Sequence, residues 1–455
     1  MHEILTLSGT EQARLIREGQ ISAVDLVTAH LAHIDQINPT LNAAVDILYE
    51  PAIFAAHEVD RVKPHLPLAG VPFTVKDSIE VSGRICSAGT IGYRHSPPSE
   101  YDATLVAKLR AAGAIPIART NLPDLLFAFE SDNLIFGRTN NPYNLDRTSG
   151  GSSGGEAALI AACGSPFGLG SDAAGSVRVP AHYCGIAALK PTSGRLARTG
   201  HVPPSGGWIE TLWQIGPMAR HVEDLRTLMP ILLGGDGIDR TVVPMPYEDA
   251  DEHILKNLRV AWFVDNGILA ADSDTAAAVH SAAQTLSGVV QFIDHQRPPL
   301  IEQSYELEMD MLGIDGGDGL RAFLAGIGSY RAHHLLEGWL KKLDHRRTDV
   351  AGFAKYWARL DEFRAAMYGF LNDFDVILSP VSFSPAVPHG TSIRDDVFPG
   401  YSYTMTHNLT GWPAAVVRCG TSHDGLPIGV QIAAAPWRED IVLAVAQYLE
   451  SAPTR

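Results

Sequence analysis

Between Ser149 and Leu196 the chain runs SGGSSGGEAALIAACGSPFGLGSDAAGSVRVPAHYCGIAALKPTSGRL, and this stretch restricts the possible folds most sharply. Two loops of small residues, each carrying a serine, lie 24 positions apart at Ser152 and Ser176, and each sits beside a run of sheet character. Small residues let backbone N–H groups approach a ligand and adopt dihedrals closed to bulkier side chains. Over Asp172 to Ser176 the successive N–H groups of Ala173, Ala174, Gly175 and Ser176 are placed to converge on one oxygen, as the tetrahedral intermediate of acyl transfer demands. Ser176, at the end of that loop, stands where a nucleophile belongs.

A serine at its ordinary pKa is a weak nucleophile and needs a base within hydrogen-bond reach. No histidine lies in either loop, and His182 is the nearest in sequence. Lys76 is the other candidate. It ends the apolar run VPFTVK, where burial disfavours the charged form and leaves an amine able to accept a proton. Taken alone, such a lysine reads better as a side chain that snorkels to water; beside two serine loops, the base reading prevails. Ser153 is a decoy. Gly151 to Gly155 fits the GxSxG nucleophile elbow, which would need a strand before it and a later acid and histidine such as Asp375 and His389. The preceding NPYNLDRTSG reads as loop, and GGSSGG lacks the Gly-Lys-Ser/Thr of a phosphate-binding loop.

The rest of the chain has βαβ grammar, which predicts an α/β fold with a mostly parallel sheet. Ser22 to Ile37 is a helix with capping-box spacing, closed by Pro39. Strand-like VPFTV, a helix over Thr104 to Ala112 stopped by Gly113, and strand-like AIPIA follow. Asn140 to Gly155 reads as loop and Glu156 to Cys163 as a short helix, with FGLG and GIAALK as strands beyond. Gly234 to Pro246 is the best internal boundary. Strand, helix and strand recur at Val260 to Val264, Ser273 to Ser287 and Val289 to Ile293. From Ile301 to Phe374 the pattern is largely helical, with Phe353, Trp357, Leu360, Phe363 and Met367 on one stripe. VILSP, AAVVRC, PIGVQIAA and a last helix complete the chain. The simplest architecture is one domain over 1–455, with 235–375 as a largely helical cap within it.

Composition narrows the function. With 455 residues, 45% of them hydrophobic and 19% charged, the chain can bury a large core. A net charge of −16 disfavours a nucleic-acid partner. No basic flank precedes an apolar run at the N-terminus, and no window reaches the roughly 18 apolar residues of a membrane span. The expectation is a soluble, cytoplasmic enzyme without membrane contact, acting on a small molecule as monomer or homodimer. Cys86, Cys163, Cys184 and Cys419 form no CxxC pair, and the 18 histidines show no HExxH spacing, so neither metal nor cofactor is expected.

GVPFTVKD around Lys76, GGSSGGE around Ser152, GSDAAGSVRVPA around Ser176, then CGIAALKPTSGR, IGPMARHVEDL, NLTGWPAA and GLPIGVQI together resemble the amidase-signature family of serine hydrolases. The resemblance runs nearly end to end. It implies the amidase-signature fold, a large mixed, mostly parallel sheet surrounded by helices, and a triad of Ser176 as nucleophile, Ser152 with a cis peptide bond as relay, and Lys76 as base. Ala173, Ala174 and Gly175 match the oxyanion loop, and Asp172 and Arg178 a flanking acid and base read as structural supports. The family usually has two glycines before the nucleophile, so a positive φ at Ala174 would cost roughly 1 kcal/mol or more. FAFESDNLIFGRTNNP looks closer to fatty-acid-amide and general amidases than to transamidation subunits. That implies hydrolysis of amides with an apolar or aryl acyl group, with esters and carbamates within chemical reach. Phe127, Phe129, Trp208 and Ile209 are candidates for an acyl pocket, though each fits a core position better. The rival readings are an amidotransferase component, which makes ammonia from glutamine beside a partner chain for misacylated tRNA, and a scaffold without catalysis.

Overall fold

The computed structural model describes residues 2–63, 65–204 and 206–452. Its helices begin where the sequence supplies caps. Ser22 accepts from the Asp25 N–H at 2.9 Å and opens the helix Ala23–Leu41, whose Val27, Leu31 and Ile34 are buried. That helix overruns the stop expected at Pro39. A proline so close to the end removes one donor only, and Asn42 at φ 50° provides the left-handed cap. The Asn140–Gly155 stretch, expected as loop, holds a small hairpin. The Asn141 side-chain carbonyl accepts from the Tyr143 N–H at 2.9 Å and its amide donates to the Thr148 and Tyr183 carbonyls, turning the chain back on itself.

In chain order the strands are β1 (Ala44–Ile47), β2 (Pro72–Lys76), β3 (Ile115–Thr120), β4 (Asn140–Asn141), β5 (Asn144–Thr148), β6 (Phe167–Asp172), β7 (Ala187–Lys190), β8 (Gln214–Ala219), β9 (Arg259–Trp262), β10 (Phe292–His295), β11 (Val376–Pro380), β12 (Ala414–Thr421) and β13 (Pro427–Ala434). All but β4 and β5 form one sheet in the order β1-β3-β2-β6-β8-β7-β12-β13-β11-β9-β10. The sheet is mixed. Parallel pairing occupies two wings, β3-β2-β6 and β11-β9-β10. From β6 through β8, β7, β12 and β13 to β11 the neighbours are antiparallel, as is the edge pair β1-β3. Parallel pairing therefore takes a smaller share than βαβ grammar suggests, because β12 and β13 are joined by a tight turn through Ser422–Leu426 rather than a crossover helix.

Strand alternation sorts the sheet's two faces. Phe73, Val75, Phe167, Leu169, Ile215, Ala415 and Val417 join a core with the helices Thr104–Ala111, Val222–Leu232, Ser273–Ser287 and Glu439–Ser451. Ile115, Ile117, Ala188, Met218 and Val416 join the opposite core with the helices Ala23–Leu41, Gly154–Ala161 and Arg178–Cys184. β9 and β10 extend the same sheet beyond Gly234–Pro246, while residues 304–370 carry the helices Ser304–Leu312, Asp318–Gly326, His334–Asp344 and Val350–Phe370. On the last of these, Leu360, Phe363 and Met367 are buried as the stripe predicts, but Phe353 and Trp357 stay half-exposed.

Candidate active site

Lys76 is the last residue of β2 and has the parity of Thr74, whose hydroxyl bonds the Glu156 carboxyl on the helix Gly154–Ala161. That brings Lys76 beneath the N-terminus of this helix, where the Ser152 loop lies. Close packing there depends on glycine: a Cβ at Gly168 in the neighbouring β6 would overlap Glu156. Lys76 Nζ lies 2.7 Å from Ser152 Oγ and 3.1 Å from Ser171 Oγ, and all three side chains are buried. The Gly151–Ser152 peptide bond is cis. The Ser153 N–H donates to the Ser176 carbonyl at 3.1 Å, tying the two serine loops together. Ser176 is 9% exposed and opens, with Ser152, into one cavity.

Burial pushes the Lys76 amine down to about 7, against the opposing pull of Asp172 and Glu156. Lys190, at the end of β7, is pushed equally far, chiefly by burial, yet among the described residues its Nζ hydrogen-bonds only the Pro191 carbonyl, at 2.9 Å. A depressed lysine alone therefore identifies nothing; what distinguishes Lys76 from Lys190 is the serine hydroxyl in front of it. His182, the nearest histidine in sequence, turns away: its ring bonds the Ser384 carbonyl at 3.0 Å and the Gly429 N–H at 2.8 Å. The elbow reading also dissolves. A strand, β5, does precede Ser153, but Ser153 is buried against Ser171, Asp375 pairs with Arg259 and His389 bonds the Leu145 carbonyl.

Behind the Ser176 loop stands a fully buried ion pair. Arg178 Nε and Nη2 reach Asp172 Oδ2 and Oδ1 at 2.9 and 2.8 Å, and its Nη1 donates to the Thr404 carbonyl and Gln431 at 2.8 Å each. Burial alone would raise the Asp172 pKa, but the Arg178 guanidinium and the hydrogen bonds from Arg178 and Asn408 hold it well below the usual carboxylate range. Removing one partner leaves the other charge buried and uncompensated. Asp172→Ala is accordingly expected to lower the unfolding free energy by about 3–5 kcal/mol, measurable by chemical denaturation.

The same carboxylate shapes the loop. Its Oδ1 accepts the Gly175 N–H at 2.8 Å and its Oδ2 the Val177 N–H at 3.2 Å. Gly175 thus drops out of the expected set of oxyanion donors. The N–H groups of Ala173, Ala174 and Ser176 donate to nothing within the described residues. Strain expected at Ala174 is absent as well, because the left-handed position is Gly175, at φ 127°, where a Cβ would run into the Thr404 side chain.

In front of the serines lies a cavity of about 130 Å³. Phe127, Phe129 and Ile209 line it as expected, joined by Leu125, Leu126, Trp213, Leu312 and Trp339. Phe129 stacks on Tyr401 at 3.9 Å and meets Trp339 at 6.1 Å, so its ring is held in place. Trp208 is not part of this wall: its indole N–H donates to the Met311 carbonyl at 2.8 Å and the residue is 36% exposed. Sequence patterns give no warning of Leu125 and Leu126, at φ 48° and 69°, nor of Leu312 and Trp339, which arrive from helices remote in sequence. His201 was also missed; it lines the cavity with its Nε2 3.0 Å from Ser171 Oγ. Among the described residues no three His, Cys, Asp or Glu side chains gather as a metal would require. None of the described helices is long and apolar enough to cross a membrane.

Comparison with known proteins identifies the family. The sequence model of the Amidase family matches residues 25–443. Over 486 aligned residues the chain is 32% identical to human fatty-acid amide hydrolase 2, covering 98% of this chain and 89% of that one. It is also 32% identical to a glutamyl-tRNA(Gln) amidotransferase chain of Thermus thermophilus, covering 98% and 96%. The solved structure of a 6-aminohexanoate cyclic dimer hydrolase complexed with substrate superposes with a TM-score of 0.87 at 29% identity, covering 98% and 97%. A match of this length in sequence and fold places the chain in the amidase-signature family, as an enzyme that hydrolyses amides.

Proposed function

We propose that the enzyme cleaves uncharged carboxylic amides carrying a compact apolar or aryl group, through an acyl-enzyme on Ser176. One observation carries the reading: the 2.7 Å hydrogen bond between Lys76 Nζ and Ser152 Oγ, at the base of an apolar cavity that Ser176 also lines. The neutral Lys76 amine takes the Ser152 proton; once substrate fills the cavity, Ser176 Oγ, which has no hydrogen-bond partner among the described residues, gives its proton to Ser152 Oγ and forms a bond to the carbonyl carbon as the π pair moves onto oxygen. The free N–H groups of Ala173, Ala174 and Ser176 receive that oxygen. When the tetrahedral centre collapses, the C–N bond breaks, and the leaving nitrogen takes a proton from Ser152, which is resupplied by Lys76. Water then attacks the acyl-enzyme by the same relay. The relay position needs an atom that accepts one proton while giving up another, which the Ser152 hydroxyl does and an alanine methyl cannot.

The cavity supports the substrate class. Cavities on the order of 150 Å³ lined by Leu, Ile and Phe accept a benzene ring, and this one is of similar size and similarly lined. Among the described residues that line it, Asp172 is the one carboxylate, and Arg178 engages it. The charged α-ammonium and α-carboxylate of glutamine would find no free counter-charge, which favours the amidase over the amidotransferase reading. Esters and aryl carbamates use the same attack and leave more easily. On an assay panel of an aryl amide, an aryl ester, an aryl carbamate and free glutamine, the first three are expected to release product while glutamine releases no ammonia. Ammonia from glutamine alone, with the aryl substrates untouched, would reverse the assignment.

A further inference from the structure

His201 has no part in the relay, yet its ring stands one hydroxyl away from the lysine. It is buried, 4.6 Å from the Trp213 ring centroid, and both nitrogens have partners. Nδ1 lies 3.1 Å from the Pro203 carbonyl, which can only accept, so Nδ1 carries the hydrogen. Burial holds the ring neutral, at about 3. Nε2 is therefore a bare lone pair, and it lies 3.0 Å from Ser171 Oγ and 3.3 Å from Ser78 Oγ. At the shorter distance the Ser171 hydroxyl donates to Nε2. Its oxygen is then left as an acceptor for Lys76 Nζ–H at 3.1 Å.

We infer that His201 is a positioning residue, which acts through Ser171 to turn the lone pair of neutral Lys76 toward Ser152. A neutral amine has one lone pair and two hydroxyls in front of it, Ser152 and Ser171. If Ser171 donated to Nζ, Lys76 would have to donate to Ser152, and no proton could be withdrawn from the relay. The acceptor at Nε2 removes that alternative by engaging the Ser171 proton. The titratable groups facing this chain are Lys76 and, from the adjoining strand and helix, Asp172 and Glu156, which act on Lys76 by charge alone; Arg198 is the remaining charge acting on His201.

The inference rests on the Lys76–Ser152 relay, and a double-mutant cycle on aryl amide hydrolysis separates the two. His201→Leu is expected to lower kcat about tenfold, the effect of one neutral hydrogen bond of roughly 1–1.5 kcal/mol. In a Ser171→Ala background no hydroxyl remains to misdirect the lone pair, and the same substitution is expected to lower kcat less than about twofold. A role in packing alone would give equal losses in both backgrounds, and that result overturns the inference. His201→Gln, which keeps an acceptor at the Nε2 position, is expected to restore most of the activity, whereas His201→Asn, which imitates Nδ1 only, is not. Should His201→Leu fail to fold, the Gln and Asn variants make the comparison, and equal rates for the two overturn the proposal. Lys76→Ala is run alongside: if it retains near-normal turnover, the relay itself is wrong, whereas an inactive Lys76→Ala with an additive cycle removes only the role of His201.

Discussion

Ser176→Ala is expected to abolish amide hydrolysis, with kcat/KM falling roughly 10⁴-fold or more, while the folded protein remains as stable as the parent. The two halves of that expectation have separate physical grounds. Loss of the nucleophile removes the covalent route, and residual rate can come only from binding and from the N–H groups at Ala173, Ala174 and Ser176. The Ser176 hydroxyl, in contrast, makes no hydrogen bond with any described residue, and the backbone carbonyl that ties the loops together survives in alanine. Removing a hydroxyl that has no partner breaks no hydrogen bond, so stability is not expected to fall. Steady-state assay beside a denaturation curve tests both halves; inactivity accompanied by unfolding would say nothing for a nucleophile.

Lys76→Ala is the second large effect, with kcat expected to fall about 10²–10⁴-fold, the range for loss of a positioned general base. Its pH signature is more telling than its size. In the proposed relay Lys76 acts in the neutral form, and burial brings its amine down to about 7. Activity of the wild type should therefore rise with pH through an acid limb near 7 and fall about tenfold per unit below it. Lys76→Ala should lose that limb along with the rate. Lys76→Arg should be as inactive, since a guanidinium stays protonated at every pH the protein tolerates. A limb that persists unchanged in Lys76→Ala would assign the titration to another group, with Glu156, raised by burial to about 7, the next to examine.

How much of this was legible beforehand depends on the kind of information each residue carries. The serine loops and the lysine were readable because their chemistry is local: glycine and alanine mark loops that admit close approach, and VPFTVK ends in a charge that an apolar strand must bury. Strand and helix types followed from periodicity, as at Ser273–Ser287, where the boundaries coincide. Pairing direction did not, because βαβ grammar assumes crossover helices, whereas β12 turns directly back into β13 and β8 inserts antiparallel between β6 and β7. The cavity wall was half legible. Phe127 and Phe129 adjoin the loops in sequence, but Trp339 and Leu312 come from helices whose apolar faces look like ordinary core. Trp208 misled because an aromatic beside a glycine turn suggests a ligand, while its indole N–H has an ordinary backbone partner. His201 was invisible, since its meaning lies in which acceptor faces Nδ1.

The most direct test of the Ser176 relay is to locate the covalent adduct. The enzyme would be incubated with a fluorophosphonate, digested, and the peptides weighed, in the wild type, Ser176→Ala and Lys76→Ala. The account predicts one adduct, on the peptide bearing Ser176, absent from Ser176→Ala and formed far more slowly in Lys76→Ala. An adduct on Ser152 or Ser153, or labelling that survives Ser176→Ala undiminished, would contradict it.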